Sequence, residues 1–331
     1  MPPARSGRCS AKSSRSYRSG CRGPSTGPPA TPTGRLTVPG RLARLSTPAK
    51  GLLITSTGAV ILSVQGVPIR LLEVDGWTLL FARGVMSAPG LFVFFLLVER
   101  TGWRGQLRAM GLAGVMVAVL FALDNVMFIY AITNTSVANT LLMINLSPMF
   151  AGLLTRIVLR EAVPRRTWLA IGGASVATVV ILLGSLVSGD LAGTLAALVA
   201  AVAVGGTLVV LRSRPALNLV PAVAIGAGLA GLIGLTVASP ASASPRDWVL
   251  LVLIGLLIVP VAFGLIATGP RYIPAAEVAL LSLLQTVLGA FWVWIAVGEA
   301  PHGATVVGGL MLILVLAAHS VATLRNLDAK G

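Results

Sequence analysis

The chain offers little for metal, redox or nucleotide chemistry. Its two cysteines, Cys9 and Cys21, both fall in the first fifty of 331 residues, so the rest holds no disulfide and no thiolate metal site. His302 and His319 are the two histidines, and neither belongs to a His/Cys/carboxylate cluster at metal-ligand spacing. A phosphate-cradling P-loop is missing, and with it any intrinsic ATP drive. No HExxH run and no Ser-His-Asp set points to a hydrolase. The expectation is therefore no cofactor, no metal and no catalytic residue. Charge is scarce too: charged residues make up 11% of the chain, where a soluble domain carries about a quarter. Short alternating strands with turn signals are absent, which argues against an outer-membrane barrel.

Apolar sequence fills the chain instead, at 56% of residues. Ten runs lie at roughly 51–72, 76–98, 109–132, 136–159, 167–187, 191–211, 217–238, 248–268, 274–297 and 303–324. Each approaches the 20 or so residues that cross a bilayer as a helix. Breakers and charges separate them, as at Glu73-Val74-Asp75-Gly76, Thr133-Asn134-Thr135-Ser136 and Gly269-Pro270-Arg271. The expected class is an all-α polytopic membrane protein.

Two stretches can be written over each other: VANTLLMINLSPMFAGLLTRIVLRE (Val137 to Glu161) and AAEVALLSLLQTVLGAFWVWIAVGE (Ala275 to Glu299). Each opens with Ala and a polar residue, carries polar residues mid-span and ends on Glu. A Pro, a polar turn, a Gly pair (Gly172-Gly173, Gly308-Gly309) and another apolar run follow each one. Duplication on this scale within a membrane chain points to a transporter. Five spans per copy is an odd number, so the second copy must enter from the opposite face. The fold expected is ten transmembrane helices as two inverted five-helix repeats, 51–187 and 188–325, with a short tail at 326–331. Inversion permits alternating access, because exchanging the conformations of the halves exchanges which side is open.

The first fifty residues hold ten Lys/Arg and no acid, spaced by Pro, Gly, Ser and Thr. Such a segment cannot bury a core and reads as a disordered basic tail held near anionic lipid; an organelle transit peptide has the same composition. Nothing interleaves its charges with aromatics, so nucleic acid is not an expected partner. With the tail inside, Arg100, Arg104, Arg108, Arg156, Arg160, Arg165, Arg166, Arg212, Arg214, Arg271, Arg325 and Lys330 share that side, leaving Arg70 and Arg246 outside. That bias places both termini in the cytoplasm.

FALDNVMFIYAITNTSVANTLLMINLSPMFAGLLTRIVLRE (Phe121–Glu161) and IPAAEVALLSLLQTVLGAFWVWIAVGEAP (Ile273–Pro301) resemble the drug/metabolite transporter superfamily, in its EamA-like ten-helix branch. Ser63 to Arg70 and Trp77 to Arg83 resemble the first two helices of that family. The resemblance covers about Gly51 to Leu324. It implies two five-helix bundles, a cavity between them, and movement of small organic molecules, often outward across the inner (plasma) membrane. Related sequences commonly carry Glu at Gln285, a residue that cannot titrate here.

Ionisable groups inside a membrane need a partner or a wet cavity. Two sit clearly mid-span, Arg83 and Asp124, each roughly 10–12 Å below the outer boundary at about 1.5 Å per residue. Their matched depth predicts an ion pair, either a brace between helices or a site where Asp124 takes a proton or a solute's cation and Arg83 a carboxylate. Asn125, Asn139, Asn145, Ser282, Gln285 and Thr286 are the further candidates for a solute-lining face. Ser282, Gln285 and Gly289 share one side of their helix. The alternative for each is plain interhelical hydrogen bonding. Glu277 is a gate candidate, although a Glu in a first turn is favoured by the helix dipole alone. Glu161 and Glu299 read as structural turn residues, Glu161 served by Arg160, Arg165 or Arg166 and Glu299 by His302. The Gly pairs and Gly226-Ala227-Gly228 read as close helix packing. The function expected is secondary transport of a small organic solute with protons as a candidate coupling ion; association as a homodimer stays open. The rival readings are a non-transporting membrane scaffold or sensor and an intramembrane enzyme acting on lipid.

Overall fold

Apolar chain in a bilayer must satisfy its backbone internally, and the described spans do so as helix. The structure, a computed structural model, describes residues 46–99, 102–182, 190–298 and 303–328. No strand occurs among the described residues. The tail through residue 45, Glu299, His302 and residues 329–331 lie outside them.

Ten helical segments match the ten apolar runs. They are α1 (Thr47–Arg70), α2 (Gly76–Val98), α3 (Gly111–Asn134), α4 (Val137–Ile144, Ser147–Leu154 and the π-helical Thr155–Leu159) and α5 (Arg165–Leu182) in the first repeat. The second repeat supplies α6 (Leu191–Ser213), α7 (Val220–Leu235), α8 (Pro245–Arg271), α9 (Ala275–Ser282 and Leu284–Val297) and α10 (Gly303–Asp328). Eight of the described helices are long and apolar enough to cross a membrane; α7 is a shorter apolar helix. The chain is a multi-pass membrane protein.

Side chains written into the sequence set the ends. Asp75 caps α2, accepting from the backbone N–H of Trp77 and Thr78 at 2.9 Å and from the Thr78 hydroxyl at 2.6 Å. Burial alone would raise the Asp75 carboxyl, but these hydrogen bonds outweigh it and hold the group below its ordinary value. Ser244 and Asp247 close a reciprocal capping box at the start of α8.

Packing obeys the repeat. α2 lies along α7, and α5 along α10. The contact of α3 with α6 is mirrored by α8 with α1, and that of α3 with α7 by α8 with α2. Exchanging each helix for its counterpart five places on thus returns these main contacts, while α9 also packs against α6 where α4 makes no matching contact with α1. Where α2 crosses α7 the backbones nearly touch: a Cβ on Gly84 would lie 2.6 Å from the Ala227 carbonyl oxygen, and one on Gly231 the same distance from the Val85 nitrogen. Gly308 meets the backbone of α5 in the same way, at 2.7 Å from the Ala177 carbonyl oxygen. Gly172 has nothing within 4 Å and so does not serve the close packing expected of it.

The repeated fourth helix is interrupted in both copies, and at the matched residue. Its first eight-residue piece stops at Asn145 in α4 and at Leu283 in α9. Both interruptions are single tight turns, with Leu146 bonding back to Met143 and Thr286 to Leu283. Pro148 removes one donor just beyond the first. Both helices then end on a left-handed residue, Arg160 (φ 57°) in α4 and Gly298 (φ 77°) in α9.

The two ends of α9 differ sharply. In its first piece Ala275 to Leu281 are all buried; in its second, Leu284–Val297, no residue is. At the buried end Arg212 pairs with Glu161 (3.5 Å) and donates to the Pro270 carbonyl (3.2 Å). Arg271 there pairs with Glu99 (3.8 Å) and donates to the Pro215 carbonyl (3.0 Å). These links tie the two repeats at one end of the bundle.

Candidate functional site

A cavity of about 210 Å³ opens where the two interruptions face each other. The first repeat lines it with Gln65, Arg83, Asp124, Asn125, Asn145 and Ser147, the second with Thr207, Ser282, Leu283 and Gln285. Phe121, Phe128 and Phe263 supply apolar wall, Phe121 and Phe263 meeting edge to face at 5.2 Å. Asn145, Leu146 and Leu283 keep right-handed helical dihedrals, so each interruption is a tightened turn and not an unwound segment.

Six of the eight residues expected on a solute-lining face therefore converge: Arg83, Asp124, Asn125, Asn145, Ser282 and Gln285. Their pairing differs from expectation. The Arg83 guanidinium donates to Asn125 Oδ1 (2.9 Å), and Asn125 is itself fixed by donating Nδ2 to the Phe121 carbonyl (2.8 Å). Arg83 and Asp124 form no ion pair within 4.0 Å. The Asp124 carboxylate has no hydrogen-bond partner among the described residues. Asn125 neighbours Asp124 in sequence, but the helical turn between adjacent residues points only the amide at Arg83.

Two candidates go elsewhere. Asn139 donates Nδ2 to Thr194 (2.6 Å) and Thr135 (3.1 Å), tying α4 to the start of α6. Thr286 lines a second cavity of about 500 Å³, bounded by α4, α5, α9 and α10 and largely apolar. Asn145 borders both cavities. Trp292 is bonded to Ser63 (3.0 Å), which spends its polar edge on joining α9 to α1. Glu161 takes Arg212 as its partner, not the adjacent Arg160, Arg165 or Arg166; Arg166 donates instead to the Ala322 carbonyl. Glu277 is buried and faces His319, Oε1 to Nε2 at 3.6 Å.

Gln65, Ser147 and Thr207 were not among the sequence candidates. A signal existed for two: Gln65 stands alone in an apolar span before Gly66, and Thr207 follows Gly205-Gly206. Three buried polar atoms around this cavity, Gln65 Oε1, Asn145 Nδ2 and Thr207 Oγ1, have no protein partner. Leaving such a group unmatched costs about 1–3 kcal/mol. The wall thus presents one cation, one carboxylate and several uncommitted donors and acceptors on an apolar lining, a set suited to a small polar molecule.

Residues 49–183 and 189–320 each match the family model of the EamA-like transporter family. No curated protein matches the sequence. Among 29 matching solved chains, one protein known from its crystal structure is 18% identical, with a TM-score of 0.67 over 82% of this chain and 98% of its own. At that identity the likeness concerns the fold alone.

Proposed function

Because the chain belongs to the EamA-like transporter family, we propose that it is a secondary carrier moving a small organic solute between the two faces of a membrane by alternating access. The observation that carries this reading is the cavity at the paired helix interruptions. It lies between the repeats, holds uncommitted polar atoms, and sits beyond an end of the bundle that is tied shut. The interface between two repeats is where carriers hold solute near the membrane midplane.

The solute class follows from the lining. Arg83 presents a positive charge and Asp124 a negative one to the same small volume, with phenyl rings beside them. A molecule carrying both a carboxylate and an amine on a modest apolar body leaves neither charge unmatched. A plain acid or plain amine leaves one of them bare, which is costly in a low-dielectric site. Transport is outward across the inner membrane, on the resemblance to the family, with both termini in the cytoplasm on the distribution of Lys and Arg. The drive is a solute or ion gradient.

A thermal-shift screen of the purified full chain tests this. Amino acids, simple carboxylates, amines, nucleosides and polyamines are compared, since a ligand at one hundred times its dissociation constant adds about 2.7 kcal/mol of apparent stability. Stabilisation by zwitterions and not by matched acids or amines is the expected result. Stabilisation by amines alone would overturn the solute class, and no stabilisation by any compound would sink the carrier reading.

A further inference from the structure

The tied end of the bundle contains one feature that neither packing nor the solute cavity uses. Glu277, in the first turn of α9, is 2% exposed, and His319 on α10 is 6% exposed. The pair stands 3.6 Å apart, within ion-pair reach once the ring carries a proton. The remaining carboxylate oxygen, Glu277 Oε2, has no hydrogen-bond partner, and neither ring nitrogen of His319 has one. One turn along α10, the Thr323 hydroxyl is buried and unpartnered as well. A structural carboxylate at this depth would be surrounded by donors, because that is what makes a buried charge tolerable. Here each group has only the other.

Three arginines nearby are engaged elsewhere. The first piece of α9 packs against α1, α4, α5 and α6. Ionisable side chains on those elements are Lys50 and Arg70 on α1, Arg156 on α4, Arg165 and Arg166 on α5 and Arg212 on α6, with Arg271 just ahead of α9. Arg156 is exposed. Arg166 Nη1 donates to the Ala322 carbonyl (3.1 Å), Arg212 pairs with Glu161, and Arg271 with Glu99. The ion-pair partner of Glu277 is His319.

We propose that Glu277 and His319 form a proton-binding site inside the closed end of the bundle, whose proton is held while that end is shut and released when it opens. In the closed end one proton shared by carboxylate and imidazole gives a pair with no net charge, the arrangement a dry interior tolerates. Losing that proton leaves a carboxylate beside a neutral ring. The bare charge is stabilised only if water reaches it, and water reaches it only if α9 parts from its neighbours. Proton loss and opening are therefore linked, each favouring the other. The first piece of α9 also walls the solute cavity through Ala279 and Ser282, so the same movement would open the cavity to this end. The inference rests on the alternating-access reading and adds a coupling ion to it.

The test needs no solute. In the full chain carrying Cys9→Ser and Cys21→Ser, Ala279→Cys is labelled with a membrane-impermeant maleimide applied to the face of the tied end. Labelling runs between about pH 5.5 and pH 8.5, either side of the ordinary histidine value. The same cysteine in a Glu277→Gln/His319→Gln background corrects for thiol ionisation. The expected result is a corrected labelling rate that rises by about tenfold with pH, the population shift that one pH unit of linkage produces. Identical pH profiles in the two backgrounds, or a corrected rate that falls as pH rises, would overturn the proposal. If the double variant does not fold, Glu277→Gln alone serves, since it removes the carboxylate whose bare charge favours opening. Failure here leaves the carrier reading standing; failure of that reading shows instead as a screen without a stabilising solute.

Discussion

In both repeats the fourth helix runs for eight residues, breaks, resumes, and ends on a left-handed residue. At the break the copies part company. The first places Asn145 there, with Pro148 just beyond; the second places Leu283, with Thr286 where the proline would stand. The same division runs through the whole site. Arg83, Asp124 and Asn125 all come from the first repeat, whereas the second gives the cavity only neutral groups, Thr207, Ser282 and Gln285. Backbone geometry is thus common to both copies while charge belongs to one. The interruption does not depend on a particular side chain, since a buried Leu at 4% exposure holds it as well as an amide does. The second repeat also keeps a buried acid for itself, Glu277, aligned with the neutral Asn139 of the first.

The sharpest way to break this comparison is to move the charge. Ala262 aligns with Asp124, is fully buried, and its carbonyl oxygen would lie 2.9 Å from a Cβ on Gly58. Ala262→Asp should cost about 3 kcal/mol or more, seen as loss of monodisperse protein. Asp124→Asn should fold normally and lose the stabilising shift from zwitterionic solutes. A folded, stable Ala262→Asp protein would show that the repeats are chemically interchangeable after all. Next in size is the crossing of α2 with α7. Gly84→Leu and Gly231→Leu should each cost about 3 kcal/mol, because the obstacle is backbone and cannot yield. Gly172→Leu, in open space, should stay within about 0.5 kcal/mol. Unequal losses at Gly84 and Gly231 would mean the two sides of the crossing are not equivalent.

At the break itself, Asn145→Leu should leave the melting temperature nearly unchanged, since its amide nitrogen has no partner to lose. Solute affinity should fall about tenfold, which is about 1.4 kcal/mol of binding. The smallest effect distinguishes the starts of α2 and α7. Asp75 caps the first; Asn218 Oδ1 accepts from the Val220 N–H (3.2 Å) at the second. Asp75→Ala should cost about 1 kcal/mol at neutral pH. A carboxyl held below its ordinary value stabilises the fold above that value and ceases to do so as pH falls through the lowered one. The gap between parent and variant melting temperatures should therefore close in acid. The amide at Asn218 has no proton to gain in that range, so its cap bond cannot produce such a closure.

The architecture was largely written in the sequence. Apolar runs give spans, breakers give joints, and the doubled VANTLLMINL and AAEVALLSLL segments give the repeat. The depth of Arg83 and Asp124 was legible because rise per residue is fixed. Their pairing was not, because which side of α3 meets α2 depends on how the helices are rotated, and Asn125 lies one residue further round. Partners far apart in sequence were invisible for the same reason. His319 for Glu277 and Arg212 for Glu161 emerge only when helices are assembled. The interruption of α9 left no local mark, since neither Pro nor Gly occupies Leu283 or its neighbours.

The near contact of Gly84 and Gly231 has a mechanical meaning. With no side chain between the two backbones, that point cannot slide or spread, and any tilt of one helix on the other must turn about it as a lever turns about its fulcrum. The arms are unequal. Gly84 stands about 12 Å from the start of α2 and about 21 Å from its end at about 1.5 Å per residue. A small displacement at the short arm is nearly doubled at the long one, which ends beside Glu99 and the Arg271 lock. The crossing is thus off-centre, and equal tilts displace the end beside Glu99 nearly twice as far as the end beside Asp75.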